Sequence, residues 1–247
     1  MTISHVHPFP ARMASDLALD KTKELARGSV VLDPMAGSGT VLRAASQNGH
    51  RCIGLDVDPL AVLMAKVATA RINESRFNQL LDRLVGQAAS VDLRTVVLPW
   101  FDGETKEFIA YWFAPTQRRA LTQLSYVFHA SPSLSDDSPE ANALRLVLSK
   151  LIITKERGAS LGRDVSHSRP HRVSDENDFD VLSEFRKVAQ RLLKRIASAN
   201  VLVKPKVRLG DARTMRWVRD SSVDMIMTSP PYLNAIDYMR GHRLSLI

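Results

Sequence analysis

The spacing of apolar residues changes character along the chain. A short apolar run, Val30-Val31-Leu32, predicts a strand that feeds a glycine-bearing turn. A helical pattern follows over about Thr40 to Asn48, then a second strand over Arg51 to Leu55. Asp58 and Pro59 open the next helix, the aspartate as its cap and the proline at its first position. The pattern carries that helix to about Asn73. Strand, helix, strand, helix in this order begins a parallel, doubly wound α/β sheet.

From Glu74 to Asn200 the spacing becomes three-to-four, as in Phe77, Leu80, Leu81 and Leu84, and again in Leu144, Val147, Leu148 and Leu151. The stretches Ser131–Pro139 and Gly158–Asp178, rich in Ser, Asp, Pro and Arg, predict loops. A long basic helix is expected from about Phe179 to Ala199. Sheet character returns at Lys206–Leu209 and at Val223–Met227. The middle region exceeds an ordinary connection between sheet elements. The expected organisation is therefore a discontinuous core, residues 1–73 with 201–247, and a mostly helical insert, residues 74–200.

Composition adds a few bounds. A chain of 247 residues with 45% hydrophobic content can bury one large core, or a core plus a subdomain. No apolar run approaches the roughly 20 residues of a membrane span, and MTISHVHPFPARM lacks the apolar stretch of a signal peptide. The single cysteine, Cys52, excludes an internal disulfide framework and sits in a buried strand pattern. These features predict a cytoplasmic protein with no membrane partner. The 34 basic against 26 acidic residues, +8 in balance with a pI near 9.9, suit a polyanion binder, although basic proteins without that role are common.

The turn after the first strand reads DPMAGSGT, with glycines at 37 and 39 that let a backbone approach a ligand closely. It lies where ligands of doubly wound sheets bind. A P-loop would need a lysine after Gly39, where Thr40 stands, and a dinucleotide fingerprint would need glycine at Leu42. Asp56 closes the second strand, where a carboxylate can accept ribose hydroxyls. Asp33 could accept a bond from a ligand's amino-acid end, and Asp211, in LGDAR, from an adenine amino group. Each acid alone serves equally as a helix cap or a solvated group; three at successive strand ends favour a ligand.

Thr228-Ser229-Pro230-Pro231-Tyr232 follows the strand VDMIM. Two prolines disfavour helix and hold Ser229 and Pro230 extended. The Ser229 hydroxyl and the Pro230 carbonyl can then accept from an N–H₂ group, while Tyr232 offers a stacking face worth on the order of 1–3 kcal/mol. Such acceptors would stabilise the positive charge that grows on an aromatic amine as it attacks a methyl donor. The plainer reading of a proline pair is a stiff turn.

Together, DPMAGSGT, the Asp56 position and TSPPY resemble the amino-methyltransferases of DNA. The resemblance implies a Rossmann-like methyltransferase sheet with S-adenosylmethionine held by Asp33, Pro34, Gly37, Gly39, Thr40, Asp56 and Asp211. It implies a flipped base held by Ser229, Pro230, Pro231 and Tyr232, and no metal. The segment from His7 to Arg12 resembles the one those enzymes set beside the cofactor's methionine end. Ser-Pro-Pro-Tyr is typical of enzymes acting on N4 of cytosine, which makes site-specific DNA cytosine-N4 methylation the leading expectation. The alternatives are N6-adenine methylation of DNA, N2-guanine methylation of RNA, and an inactive nucleic-acid-binding remnant.

A base inside a duplex must be extruded, so surface that grips the strands is expected. The insert offers Arg186, Lys187, Arg191, Lys194 and Arg195, and a basic loop with Lys155, Arg157, Arg163, His167, Arg169, His171 and Arg172, the preferred DNA contact. Family sheets have about seven strands, three of them after the proline pair, and only Leu233–Ile247 remains for them here. The expectation is that the C-terminal strands are missing, with an exposed sheet edge and little activity from the chain alone unless a second chain supplies them. A cognate restriction endonuclease is the other expected partner.

Overall fold

The structure is a computed structural model that describes residues 6–7, 13–152, 154, 157–163 and 171–230. It divides into two compact units. Among the described residues, one unit holds those up to 72 and from 194 to 230, and the other holds those from 73 to 193.

The first unit is built on a parallel sheet. Its strands are β1 (Val30–Asp33), β2 (Arg51–Asp56), β5 (Lys206–Leu209) and β6 (Met225–Ile226), in the spatial order β5-β2-β1-β6. The chain thus starts in the middle and builds outward in both directions, the doubly wound arrangement. β1 is buried at every position, as expected of a strand covered on both faces. Helix α2 (Thr40–Gln47) follows β1, and α3 (Pro59–Ala68) follows β2. Val31, Val41, Leu42, Cys52, Val62 and Val207 share one apolar cluster between these layers. Cys52 is part of that core, and burial pushes its thiol up to about 12.

Several boundaries differ from the sequence expectation. A helix α1 (Ser15–Lys23) precedes the sheet and packs Ala18 and Leu19 against Ala44 of α2. Its apolar face is so narrow that periodicity alone gives no signal. α3 stops at Ala68 rather than near Asn73. Thr69 turns its hydroxyl back onto the Ala65 carbonyl at 2.8 Å, and Asn73 caps the next helix. Of Val223–Met227 only Met225 and Ile226 pair as β6, while Asp224 accepts the Val30 N–H through its side chain at 2.7 Å. The return segment is tied down by Arg71, which donates to the Val201 carbonyl, and by Ser46, which donates to that of Val203.

The second unit is mostly helical. It contains α4 (Glu74–Ser90), α5 (Gly103–Trp112), α6 (Pro115–Ala130), a single turn α7 (Pro132–Ser135), α8 (Pro139–Ile152) and most of α9 (Val181–Ala197). Phe77, Leu81 and Leu84 of α4, Leu124 of α6, Leu144 and Leu151 of α8 and Phe185 of α9 are buried. α7 lies inside the stretch expected to be a loop, where Pro132 starts the turn. The other expected loop contains a two-residue antiparallel ladder between β3 (Gly162–Arg163) and β4 (His171–Arg172). None of the described helices is long and apolar enough to cross a membrane.

Candidate functional site

The glycine-bearing turn at the carboxyl end of β1 is braced by the end of β2. Ala36 donates its N–H to the Leu55 carbonyl at 2.7 Å, and Gly37 donates to Oδ2 of Asp56 at 2.8 Å. Gly37 and Gly39 adopt φ of 49° and 80°, the left-handed region that favours glycine. At Gly39 a Cβ would also stand 2.9 Å from the Cα of Ala65, so this glycine lets α3 approach the turn. Gly39 is also the N-terminal boundary of α2 and caps it with no side chain. The first N–H groups of that helix, beginning at buried Thr40, therefore lack side-chain capping.

Asp33 ends β1 and is 2% exposed. Its Oδ1 accepts the Met35 N–H at 3.2 Å. Burial raises its carboxyl to about 6; the side chain of Thr228 and the Met35 N–H oppose that rise, and the charge of Asp56 adds to it. Asp56 is also raised, chiefly by burial, against the N–H groups of Asp58 and Gly37 that favour its charged form. Oδ2 takes the Gly37 N–H and Oδ1 the Asp58 N–H at 3.0 Å, with the Val57 N–H also favouring the charged form, which still leaves acceptor capacity on the carboxylate.

Asp211 lies beyond β5, next to Gly210, whose N–H bonds the Asp56 carbonyl at 2.9 Å. Its carboxylate is engaged by Arg213 through both Nε and Nη2, and that pairing holds it down at about 2. An adenine amino group reaching Asp211 would share it with Arg213.

β6 runs parallel to β1 and leads into Thr228, Ser229 and Pro230. Thr228 is half-buried beside Asp33, while Ser229 and Pro230 are exposed. The structure thus brings Asp33, Gly37, Gly39, Thr40, Asp56 and Thr228 to one end of the sheet, with half-buried Pro34 in the same turn. Pro231 and Tyr232 lie outside the described residues, as do residues 8–12 of the His7–Arg12 segment. Sequence reasoning quoted Thr228 but missed its place against Asp33; its signal was the strand pairing that sets β6 beside β1.

The described arginines of the expected basic loop each have a partner within the protein. Arg157 pairs with Asp178 at 3.0 Å; Arg172 pairs with Asp175 at 2.8 Å and lies 5.1 Å from the Tyr111 ring. Arg163 donates to the Ser160 and Gly162 carbonyls. Lys155, His167 and Arg169 lie outside the described residues. On α9, Arg186, Lys187, Arg191, Lys194 and Arg195 are all exposed; Arg186 pairs with Asp82, and Lys187 and Arg191 share Glu184.

Residues 2–67 match the family model N6_N4_Mtase, DNA methylase. The resemblance read from DPMAGSGT therefore holds for the segment that builds α1, β1, α2, β2 and most of α3. Among solved structures, the rRNA methyltransferase aviRa from Streptomyces viridochromogenes is similar at 15% identity and a TM-score of 0.33, over 91% of this chain and 61% of that one. A second structure of it gives 14% identity and 0.32, over 92% and 63%. This chain thus spans less than two thirds of that methyltransferase. No curated protein matches the chain.

Proposed function

We propose that the chain is an S-adenosylmethionine-dependent nucleic-acid amino-methyltransferase whose target is N4 of cytosine in DNA. The observation that carries this reading is the convergence of two strand ends. β1 delivers Asp33 and the glycine-bearing turn, and its parallel neighbour β6 delivers Thr228, Ser229 and Pro230 to the same end of the sheet. The family match of residues 2–67 supports the class of chemistry.

The residues present fit the cofactor. Asp33 is a buried carboxyl that accepts the Met35 N–H, and an ammonium group beside it would offset the burial that disfavours its charge. The N-terminus of α2, without a side-chain cap, suits a carboxylate. Asp56 has lone pairs to spare for ribose hydroxyls. When bound, the cofactor supplies a sulfonium methyl. The Ser229 hydroxyl and Pro230 carbonyl would accept the hydrogens of the target amine, bias its nitrogen toward tetrahedral geometry and stabilise the charge that grows there. In this reading, residues 74–200 grip the nucleic acid, with α9 as the contact in place of the basic loop.

The test is to incubate the chain with methyl-labelled S-adenosylmethionine and unmethylated genomic DNA, digest the DNA and identify the labelled nucleoside by mass spectrometry. N4-methylcytosine is expected as the labelled nucleoside, at low turnover from this chain alone. N6-methyladenine would keep the enzyme class and overturn the base, and label in guanine of RNA but not in DNA would overturn the substrate. No transfer to either, with cofactor bound, would overturn the enzymatic reading.

A further inference from the structure

Asp33 and Thr228 stand at the ends of two paired strands. β1 and β6 run parallel with Leu32 opposite Ile226, and Met227 donates its N–H to the Leu32 carbonyl at 3.0 Å. Past that bond the chain enters Thr228, whose side chain lies beside the Asp33 carboxyl.

The two side chains complement each other. Oδ1 of Asp33 accepts the Met35 N–H at 3.2 Å. Oγ1 of Thr228 is shut off from solvent and has no other partner among the described residues. It lies outside full hydrogen-bond geometry to Asp33, yet near enough to favour the charged carboxylate. Hydrogen bonds of a functional site are often long before ligand binds and tighten afterwards. A buried hydroxyl without an acceptor is costly, and the carboxylate is the acceptor within reach. Few other groups control Asp33. Neither the turn over 34–40 nor residues 225–230 carry an ionisable side chain. Asp56, at the end of β2, disfavours the charge, as burial does. One backbone N–H and one hydroxyl are left to support it.

We propose that Thr228 is a positioning residue for cofactor binding, its hydroxyl donating to the Asp33 carboxylate and keeping it charged for the ammonium group of S-adenosylmethionine. The inference rests on the cofactor reading above and adds to it a residue that acts through another. Without the hydroxyl, Asp33 takes up a proton at higher pH, and a neutral carboxyl no longer attracts an ammonium. Thr228 would then serve the methyl donor, while its neighbours Ser229 and Pro230 serve the target amine.

The experiment is calorimetric titration of the full chain with S-adenosylhomocysteine, which has the same amino-acid end and no transferable methyl. Parent, Thr228→Val and Thr228→Ser are compared from about pH 5.5 to about pH 8. In the parent, affinity is expected to fall to half its high-pH value at about 6. In Thr228→Val that midpoint is expected about one pH unit higher, a loss of about fivefold at pH 6 that nearly vanishes by pH 8. Thr228→Ser keeps the hydroxyl and should restore the parent profile. An unchanged profile in Thr228→Val, or a loss of equal size at every pH, would overturn the proposal. Melting curves without ligand test the pairing by itself. The stability deficit of Thr228→Val should grow as pH rises through about 6 and level off roughly one unit higher, and should not vary with pH in an Asp33→Asn background. A deficit independent of pH in the parent background would overturn the pairing. A growing deficit without any binding of S-adenosylhomocysteine by the parent would instead overturn the cofactor reading on which the proposal rests.

Discussion

Gly37 donates its backbone N–H to Oδ2 of Asp56 at 2.8 Å, so the acid that closes β2 also holds the shape of the turn that follows β1. The two strand ends are therefore one unit, and Asp56 has two tasks that substitution can separate. Asp56→Ala removes the brace and the proposed ribose acceptor together. It is expected to lower stability by about 1–2 kcal/mol and cofactor affinity by about 10- to 100-fold, the range for losing a charged hydrogen-bond partner. Asp56→Asn keeps one acceptor oxygen and removes the buried charge, so it should hold stability near that of the parent while recovering little of the affinity. Thermal melts and calorimetry with S-adenosylmethionine check both.

Asp33 makes the opposite prediction for stability. Its carboxyl is raised from 3.8 to about 6 by burial, so between those values the folded chain holds more protons than the unfolded one. Its contribution to stability then falls as pH rises from about 4 to about 6 and stays low above that. At about 1.4 kcal/mol per pH unit the penalty at neutral pH is on the order of 3 kcal/mol. Asp33→Asn should match the parent near pH 3.5 and become the more stable form toward pH 7, by roughly 1–3 kcal/mol. Its cofactor affinity should nonetheless fall, and that of the parent should weaken below about pH 6 as the carboxylate is neutralised. Melting curves of the two forms from pH 3.5 to 8, with and without cofactor, test the trade. Equal stability of the two at pH 7 would show that burial of the charge costs nothing.

What the sequence made legible was local. Asp58-Pro59 read as a helix start, and Asp58 does accept the Leu60 N–H at 2.8 Å at the head of α3. Lys206–Leu209 read as a strand, and β5 has those bounds. The glycine spacing of DPMAGSGT and the position of Asp56 pointed to the turn that the Gly37–Asp56 bond holds together. Tertiary relationships were less accessible. Nothing in the letters says that Arg213 closes on Asp211, because an arginine two residues past an acid is as often solvated as paired. Nor does composition say that Arg157 and Arg172 of the basic loop meet Asp178 and Asp175, or that Arg186 of α9 meets Asp82. The narrow apolar face of α1 left no periodicity to read, since only Ala18, Leu19 and Thr22 of that helix are buried.

Two glycines of the same backbone conformation can be told apart by what surrounds them. Gly39 and Gly49 share the left-handed backbone, at φ 80° and 82°. A Cβ at Gly49 would meet nothing within 4 Å, whereas at Gly39 it would lie 2.9 Å from the Ala65 Cα. Gly49→Ala should therefore cost only the backbone term, about 1–2 kcal/mol. Gly39→Ala adds a collision with helix backbone that cannot be relieved by a rotamer change, so its loss should exceed that of Gly49→Ala by at least about 1 kcal/mol. Denaturant midpoints of the two variants decide this, and equal losses would mean that α3 yields freely.

Helix α9 carries the proposed nucleic-acid contact, and salt dependence is the measurement that separates it from a merely solvated face. Lys187 and Arg191 share Glu184, at 2.8 and 3.8 Å, so two cations answer to one acid. Each cation that meets a phosphate releases a counterion, which contributes about 0.9 to the slope of log affinity against log salt on duplex DNA. Replacing Lys187, Arg191 and Lys194 together with alanine should weaken binding on any sequence and flatten that slope by about 2 to 3. The apolar side of the helix, with Phe185, Ala189 and Leu192 buried, is untouched, so the fold should hold. Arg157→Ala in the loop should change the slope little, because Arg157 already answers to Asp178. A larger change in the slope from Arg157→Ala than from the α9 triple would return the contact to the loop.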